Sequence, residues 1–568
     1  MTTCHCFDPR FHLRLMYGEN RGSQAAAWLD ERLKVWQTNP TSMRELQASD
    51  ALLAVPANLF NVSGEAPLHS LAQFARRRWQ PLFSGLHLLP FFPHEGNDPF
   101  DILDGRQPDP ALGSWQNVHD LTADFEVLLD AELNHTPAGH PWFQAFLNQE
   151  KAYANFYLTL PPEADLTPVF RPVDSALLTP FTTTKGEQMV WTTFRPDLPD
   201  LNYREPRVLL EMLDQMMHWV ERGARYLLIH HAPYLWKQSG TTCIHQTKSY
   251  LMVNFLRGVL NEAAPHVRLV VESGFSQSED FRFFGNGLNA AHLLVSSALP
   301  ALLLYALAEG DARPLRKWCA DLTLPSPDVT YLNSLACPRG IDLLPVRSLL
   351  SRAKTGALQK HLRKAGLFDV SPSTVTGERL PFNLHSALAA LDSNLAPRRL
   401  LAAWNVLFTL VGLPEVDAAS LLESADPKRI VSHNGRSRFD APHGLNPVNV
   451  SAALDQPGSP AQQQFSALTH LQQVRAACSA FNPGAPQMTL DCGSPAVLGL
   501  LRFSLEDDDM ALCLHNLSAQ PQSVQLSLSA LSLPDGNWVD LLTRQPLDFG
   551  DAVDLQLDAY QSVWLSPA

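Results

Sequence analysis

The 568-residue chain has no basic stretch: 43 Lys and Arg stand against 57 Asp and Glu, giving a formal net charge of −14. Without a cationic surface it offers nothing to a phosphate backbone or an anionic bilayer, so no nucleic acid and no membrane partner is expected. It also lacks an unbroken apolar run. The most apolar window, Leu288 to Leu307, is interrupted by His292, Ser296, Ser297 and Pro300, and the opening MTTCHCFDPR has no signal core, which points to a cytoplasmic protein. Paired cysteines are missing too. The eight, at 4, 6, 243, 319, 337, 478, 492 and 513, show no zinc-site or disulfide spacing and read as reduced thiols. Cys4-His5-Cys6 could not close a tetrahedron from adjacent positions alone, so neither a metal nor any other cofactor is expected.

What is present is a rhythm. The chain is too long for one compact core. After a helical segment at 1–50, centred on Ala25 to Val35, short apolar runs alternate with amphipathic helices: ALLAVPANLF, a helix over Ala66–Trp79, GLHLLPFF, a helix from Ser114, then FEVLLDAELNH. A Pro-, Thr- and aromatic-rich stretch at 140–205 interrupts as an inserted subdomain. The rhythm resumes at 206–480 with a helix over Arg207–Gly223, whose Leu209, Met212, Leu213, Met216 and Val220 recur at core spacing. Strands near 51, 86, 126, 226, 268, 294, 330 and 408 predict an α/β protein with a (β/α)8 TIM barrel, its first part at 51–139. From 481 to 568 alternating, turn-rich runs predict a C-terminal antiparallel β domain.

In such a barrel chemistry sits where strands end. The strand YLLI ends in His230-His231, FEVLLD ends near Asp130, Asn134 and His135, and VRLVV ends in Glu272, read as the one carboxylate closing a fully apolar strand. A charge there is costly to desolvate unless it is used or paired.

Several longer blocks then fall in a recognisable order: GLHLLPFFPHEGNDPFDILDGRQPDPALGSW, DAELNH, VWTTFRPDLPDLNYREPRVLLEM, APYLWKQSGTTCIH, VVES, FGNG, TLPSP and LDAYQSVWL. On these the chain resembles, over nearly its whole length, the sucrose phosphorylase group of the α-amylase family, glycoside hydrolase family 13, and within it the glucosylglycerate phosphorylases. The resemblance implies a sugar, glycoside or sugar phosphate as small-molecule partner. It also implies a retaining mechanism in which an Asp attacks the anomeric carbon, a Glu protonates the leaving oxygen and phosphate releases the glucosyl-enzyme. The acid/base position falls on Glu272 and is intact. The nucleophile position holds His230, the Arg two residues before it is Leu228, and the His-Asp pair after the seventh strand is Pro338-Arg339. Asp104, matched to an Asp that a Tyr follows in the family, precedes Gly105; Asp130, Asn134 and His135 are retained, and His231 lies beside the substituted nucleophile.

The transition state for breaking an α-glucosidic bond carries positive charge. Across the positions of Leu228, His230, Glu272 and Arg339 the family's formal −2 becomes zero with His neutral. Loss of a positioned nucleophile costs roughly 5 kcal/mol or more of barrier. Leu228 relieves the burial of a guanidinium whose carboxylate is gone. Three readings are open. One is a member impaired for glucosyl transfer that binds a sugar or a protein partner, an active paralogue being one candidate. The second is a working phosphorylase or hydrolase in which Glu272 is the acid and a His is the base, Arg339 recruiting an anionic sugar. In the third, a structural ion-pair cluster plugs an unused pocket.

Overall fold

The computed structural model describes residues 8–36, 42–365, 379–380, 383–422, 444–504 and 509–568; Cys4, His5 and Cys6 lie outside them. Eight parallel strands close into a barrel: β1 (Leu52–Val55), β2 (Gly85–Leu88), β3 (Glu126–Ala131), then, after a β4/β5 hairpin (Leu178–Thr183, Gly186–Trp191), β6 (Ala224–Ile229), β7 (Arg268–Val271), β8 (Leu293–Val295) and β9 (Thr330–Ser334). The short pair β10 (Ile341–Asp342) and β11 (Arg379–Leu380) intervenes before β12 (Leu413–Asp417) closes the ring between β9 and β1. The expected TIM barrel is therefore present.

Helices α1 (Pro9–Val35), α2 (Pro67–Arg78), α3 (Trp115–Thr122), α5 (Pro206–Glu221) and α6 (Thr247–Ala263) fall where helical spacing places them, and a short α4 (Pro141–Leu147) opens the inserted stretch, where none was expected. Pro at the first turn of α2, α4 and α5 fits a position whose N–H needs no partner. The leading helix is longer than its apolar pattern suggests, and it is broken at Gly18 (φ 78°, ψ 169°).

The last strand differs from expectation. Asn405–Thr409 are the final residues of a helix, Ala396–Thr409, and β12 begins four residues later. Ala402 to Thr409 are all buried, since this helix packs against the helices Leu384–Leu391 and Pro460–Ala476 and against the strand Met510–Asn516 of the C-terminal sheet. An element apolar all round shows no periodicity by which helix and strand can be separated. Gly412 (φ 128°) turns the chain into β12, where an added Cβ would lie 2.8 Å from the carbonyl of Tyr331.

Side chains alternate across a strand, so every second residue faces the barrel axis. Leu52, Leu128, Tyr226, Leu228, Val270, Leu293, Leu332 and Leu413 pack together there as one apolar cluster. Gly85 yields space to it, since its Cβ would meet Leu52 at 2.6 Å. One step further along the same faces stand His87, Asp130, His230, Glu272, Ser334 and Glu415. The period of two thus converts an apolar floor into a polar mouth. A six-stranded antiparallel sheet with a two-stranded companion follows from Gln487 to Pro567, as expected for the C-terminal region.

Candidate active site

The mouth is organised by two imidazoles bridging three carboxylates. His230 donates through Nε2 to Asp130 Oδ1 at 2.7 Å and through Nδ1 to Glu272 Oε2. His87 donates through Nε2 to the same Asp130, at 3.0 and 3.1 Å to its two oxygens, and through Nδ1 to Glu415 Oε1 at 2.8 Å. Ser334 Oγ closes the chain onto Glu415 Oε2. Burial alone would strip the proton from each ring, but the flanking carboxylates outweigh it: Glu272 and Asp130 hold His230 up at about 10, and Asp130 and Glu415 hold His87 at about 10. Asp130 is buried as well, yet the two imidazoliums keep it below the ordinary carboxylate range. Both histidines are therefore cations near neutral pH, and Leu228, His230, Glu272 and Arg339 together total +1 instead of zero.

This arrangement limits the chemistry. An imidazolium with both N–H groups committed to carboxylates has no lone pair to attack carbon or accept a proton. Glu272 remains partly open, its side chain 32 % exposed. Leu228 belongs to the apolar cluster beneath His230, where a guanidinium would need a carboxylate.

Arg339 forms the second half of the site. Its Nη1 donates to Glu132 Oε2 and to His231 Nε2, both at 3.2 Å, Nε lies 3.5 Å from Asp98, and the guanidinium sits 4.1 Å over the Phe100 ring. Burial disfavours the charge, but Asp98, Glu132, Asp101 and Glu272 together strengthen it. The accepting Nε2 of His231 cannot simultaneously act as a base. His231 itself takes the left-handed backbone (φ 55°), which turns its ring away from the strand direction toward Phe194, 4.4 Å away.

Asn134 and His135 anchor a third side. Asn134 donates to Asp200 Oδ2 at 3.1 Å and accepts from Lys237 Nζ at 2.6 Å, and Lys237 pairs with Asp200 at 2.5 Å. Asn134 also faces His135 Nδ1 at 3.3 Å. Burial, with Arg339 and Lys237 nearby, pushes the His135 pKa far down, so this ring is neutral and carries its proton on Nε2. That Nε2 is buried without a hydrogen-bond partner, as are Glu132 Oε1 and Asp101 Oδ1; the other Asp101 oxygen accepts from Arg195 at 2.7 Å. Burial raises the pKa of Glu132 and of Asp101.

The structure thus brings Glu272, His230, His231, Arg339, Asp130, Asn134 and His135 to one mouth, with Leu228 below and half-buried Pro338 beside Arg339. Asp104 is not drawn in: it is exposed, and its carboxylate accepts from the Arg106 amide at 2.8 Å. Asp101 stands in the mouth instead. Sequence reading missed His87, Glu132, Asp101 and Glu415. His87 had a signal in being a lone His inside the apolar run GLHLL, and Glu415 in being a carboxylate inside the run GLPEV. Among the described residues no group of three His, Cys, Asp or Glu side chains is arranged to hold a metal ion.

Comparison with known proteins places this geometry. The α-amylase catalytic-domain family matches residues 83–286. The glucosylglycerate phosphorylase of Allomeiothermus silvanus is 36 % identical over 536 residues, covering 93 % of this chain and 95 % of that one. The glucosylglycerate phosphorylase of Spirochaeta thermophila is 33 % identical over 98 % of this chain and 97 % of its own. A crystal structure of sucrose 6F-phosphate phosphorylase from Thermoanaerobacter thermosaccharolyticum shares the fold with a TM-score of 0.67 at 20 % identity, over 83 % of this chain and 94 % of that one. The chain belongs to the α-amylase family, in the group that contains the sucrose and glucosylglycerate phosphorylases.

Proposed function

We propose that this member of the group has given up retaining glucosyl transfer and uses the mouth of its barrel to hold a hydroxyl-rich sugar, glycoside or sugar phosphate. The observation that carries the reading is His230, a doubly hydrogen-bonded imidazolium where a nucleophilic carboxylate is needed. Arg339 adds a second positive charge where the transition state would need a negative one. Binding is favoured over a sealed plug by two features. Glu272 and Arg339 keep 32 % and 20 % of their side chains exposed, and His135 Nε2, Glu132 Oε1 and Asp101 Oδ1 are polar atoms that ligand hydroxyls would satisfy. A mechanism with His230 or His231 as base is less well supported, because both rings have spent their lone pairs or protons on protein partners.

The test has two arms. Incubated with phosphate and glucosylglycerate or sucrose, or with glucose 1-phosphate and glycerate, the protein should transfer glucose at no more than about 10⁻⁴ of an ordinary turnover of ~10 s⁻¹. Phosphate release at ordinary rates would overturn the proposal. In the second arm a bound sugar at about 100 times its Kd should stabilise the fold by about 2.7 kcal/mol, and His135→Ala should abolish that gain. No thermal response to any sugar or sugar phosphate would shift the reading to a protein partner.

A further inference from the structure

Outside the mouth, a cavity of about 440 Å³ opens between α1, the residue preceding the α5 cap and the loop that leads from β6 into α6. Tyr17, Arg21, Arg204, Trp236, Gln238 and Lys248 line it. Three cations around one concavity are unusual on a chain of net charge −14, and a cationic hollow concentrates anions. Arg21 is the one matched by an acid, Glu205, at 3.0 Å. Arg204 directs Nε and Nη2 to the carbonyl of Lys237 at 3.2 and 2.9 Å, which fixes the plane of its guanidinium. Lys248 donates to the Met16 carbonyl at 2.7 Å and rests 4.4 Å over the Trp236 ring. Among the described residues neither Arg204 nor Lys248 has a carboxylate within ion-pair distance, and desolvation with Arg204 nearby lowers the Lys248 pKa.

A second, independent observation is the Tyr17 hydroxyl. It is buried without a hydrogen-bond partner, its ring 6.0 Å from that of Trp236. Leaving a buried hydroxyl unsatisfied is unfavourable, and an oxyanion in the cavity would relieve it. Gly18, in a backbone region open only to glycine, ends the first segment of α1 immediately after Tyr17 and so shapes this wall of the cavity.

We propose that this cavity is a binding site for a small oxyanion of the phosphate or carboxylate class. Arg204 and Lys248 supply its charge, the Tyr17 hydroxyl one hydrogen bond, and Trp236 an apolar wall. The site is distinct from the barrel mouth but joined to it through one residue. Arg204 holds the backbone of Lys237, whose ammonium reaches Asn134 and Asp200.

Calorimetric titration of the full chain with inorganic phosphate and with glycerate tests this. At least one of the two should bind saturably. Lys248→Gln and Arg204→Gln should each weaken that binding about tenfold or more, and Tyr17→Phe should weaken it less, while Arg339→Gln and Glu272→Gln leave it within about twofold. Binding of phosphate alone identifies a phosphate site, and binding of glycerate a carboxylate site. The proposal falls if neither binds saturably below about 10 mM, or if affinity follows Arg339 instead of Lys248. Lys248 and Arg204 are not core residues, so unchanged thermal midpoints in both variants would show that lost binding is not lost folding.

Discussion

The barrel mouth and the seam between barrel and C-terminal sheet both bury cations, yet they hold them with opposite kinds of partner. At the mouth His87 and His230 meet carboxylates and are raised to about 10. At the seam Arg475 and Arg502 meet backbone carbonyls: Asp50 and Phe481 for one, Thr409, Asn482, Pro486 and Ala485 for the other. Burial lowers these two to about 9 and about 10. Burial is nearly complete in both places; the partner's charge sets the sign. Carbonyls give the seam fixed hydrogen bonds and a structural role, whereas ion pairs give the mouth a charge that depends on pH.

The strongest test of this contrast is Arg502→Met. It strands four carbonyls between the Ala396–Thr409 helix and the C-terminal sheet and should cost about 4 kcal/mol or more, read as a drop in denaturant midpoint. A loss under ~1 kcal/mol would mean the seam does not depend on those bonds.

Next comes pH. His87 and His230 bind their protons more tightly folded than unfolded, so their stabilisation is complete below about 6.5 and drains away as pH rises toward about 10. Each should contribute a fall of up to about 1.4 kcal/mol per pH unit in that window. His87→Gln should remove roughly half of the combined slope; an unaltered slope would show that the charge is not stored at the mouth. The smallest effect belongs to Asp104→Ala. Its carboxylate is exposed and caps one amide, so stability should change by no more than about 0.5 kcal/mol and sugar-induced stabilisation not at all.

The barrel was readable because buried parallel strands are short apolar runs separated by helices of clear period. Even the three-residue β8 shows itself in HLLV. It became unreadable at Asn405–Thr409, where burial on all sides erases the period, and that error carried over into the site. With the last strand set too early, Glu415 fell outside the mouth, although it stands within β12 two residues beyond Leu413, as Glu272 stands two beyond Val270. Glu132 and His87 were obscured for another reason. Sequence spacing says which residues share a face, but only the ring closure of eight strands brings β2, β3, β6, β7, β9 and β12 side chains onto one polar layer. Asp130, Asn134, His135, His230, Glu272 and Arg339 could be located because long matching blocks flank them.

Leu228 has a consequence for how such a site could ever change again. It is packed with aliphatic neighbours from around the ring, directly below His230. Replacing His230 alone by Asp would crowd a third carboxylate against Asp130 and Glu272 with their shared cation removed. Restoring Arg at 228 alone would press a guanidinium into the apolar layer beneath an imidazolium. Each single step is worse than either end state, so the two arrangements are separated by a valley in sequence space, and the present one is held in place by its own floor.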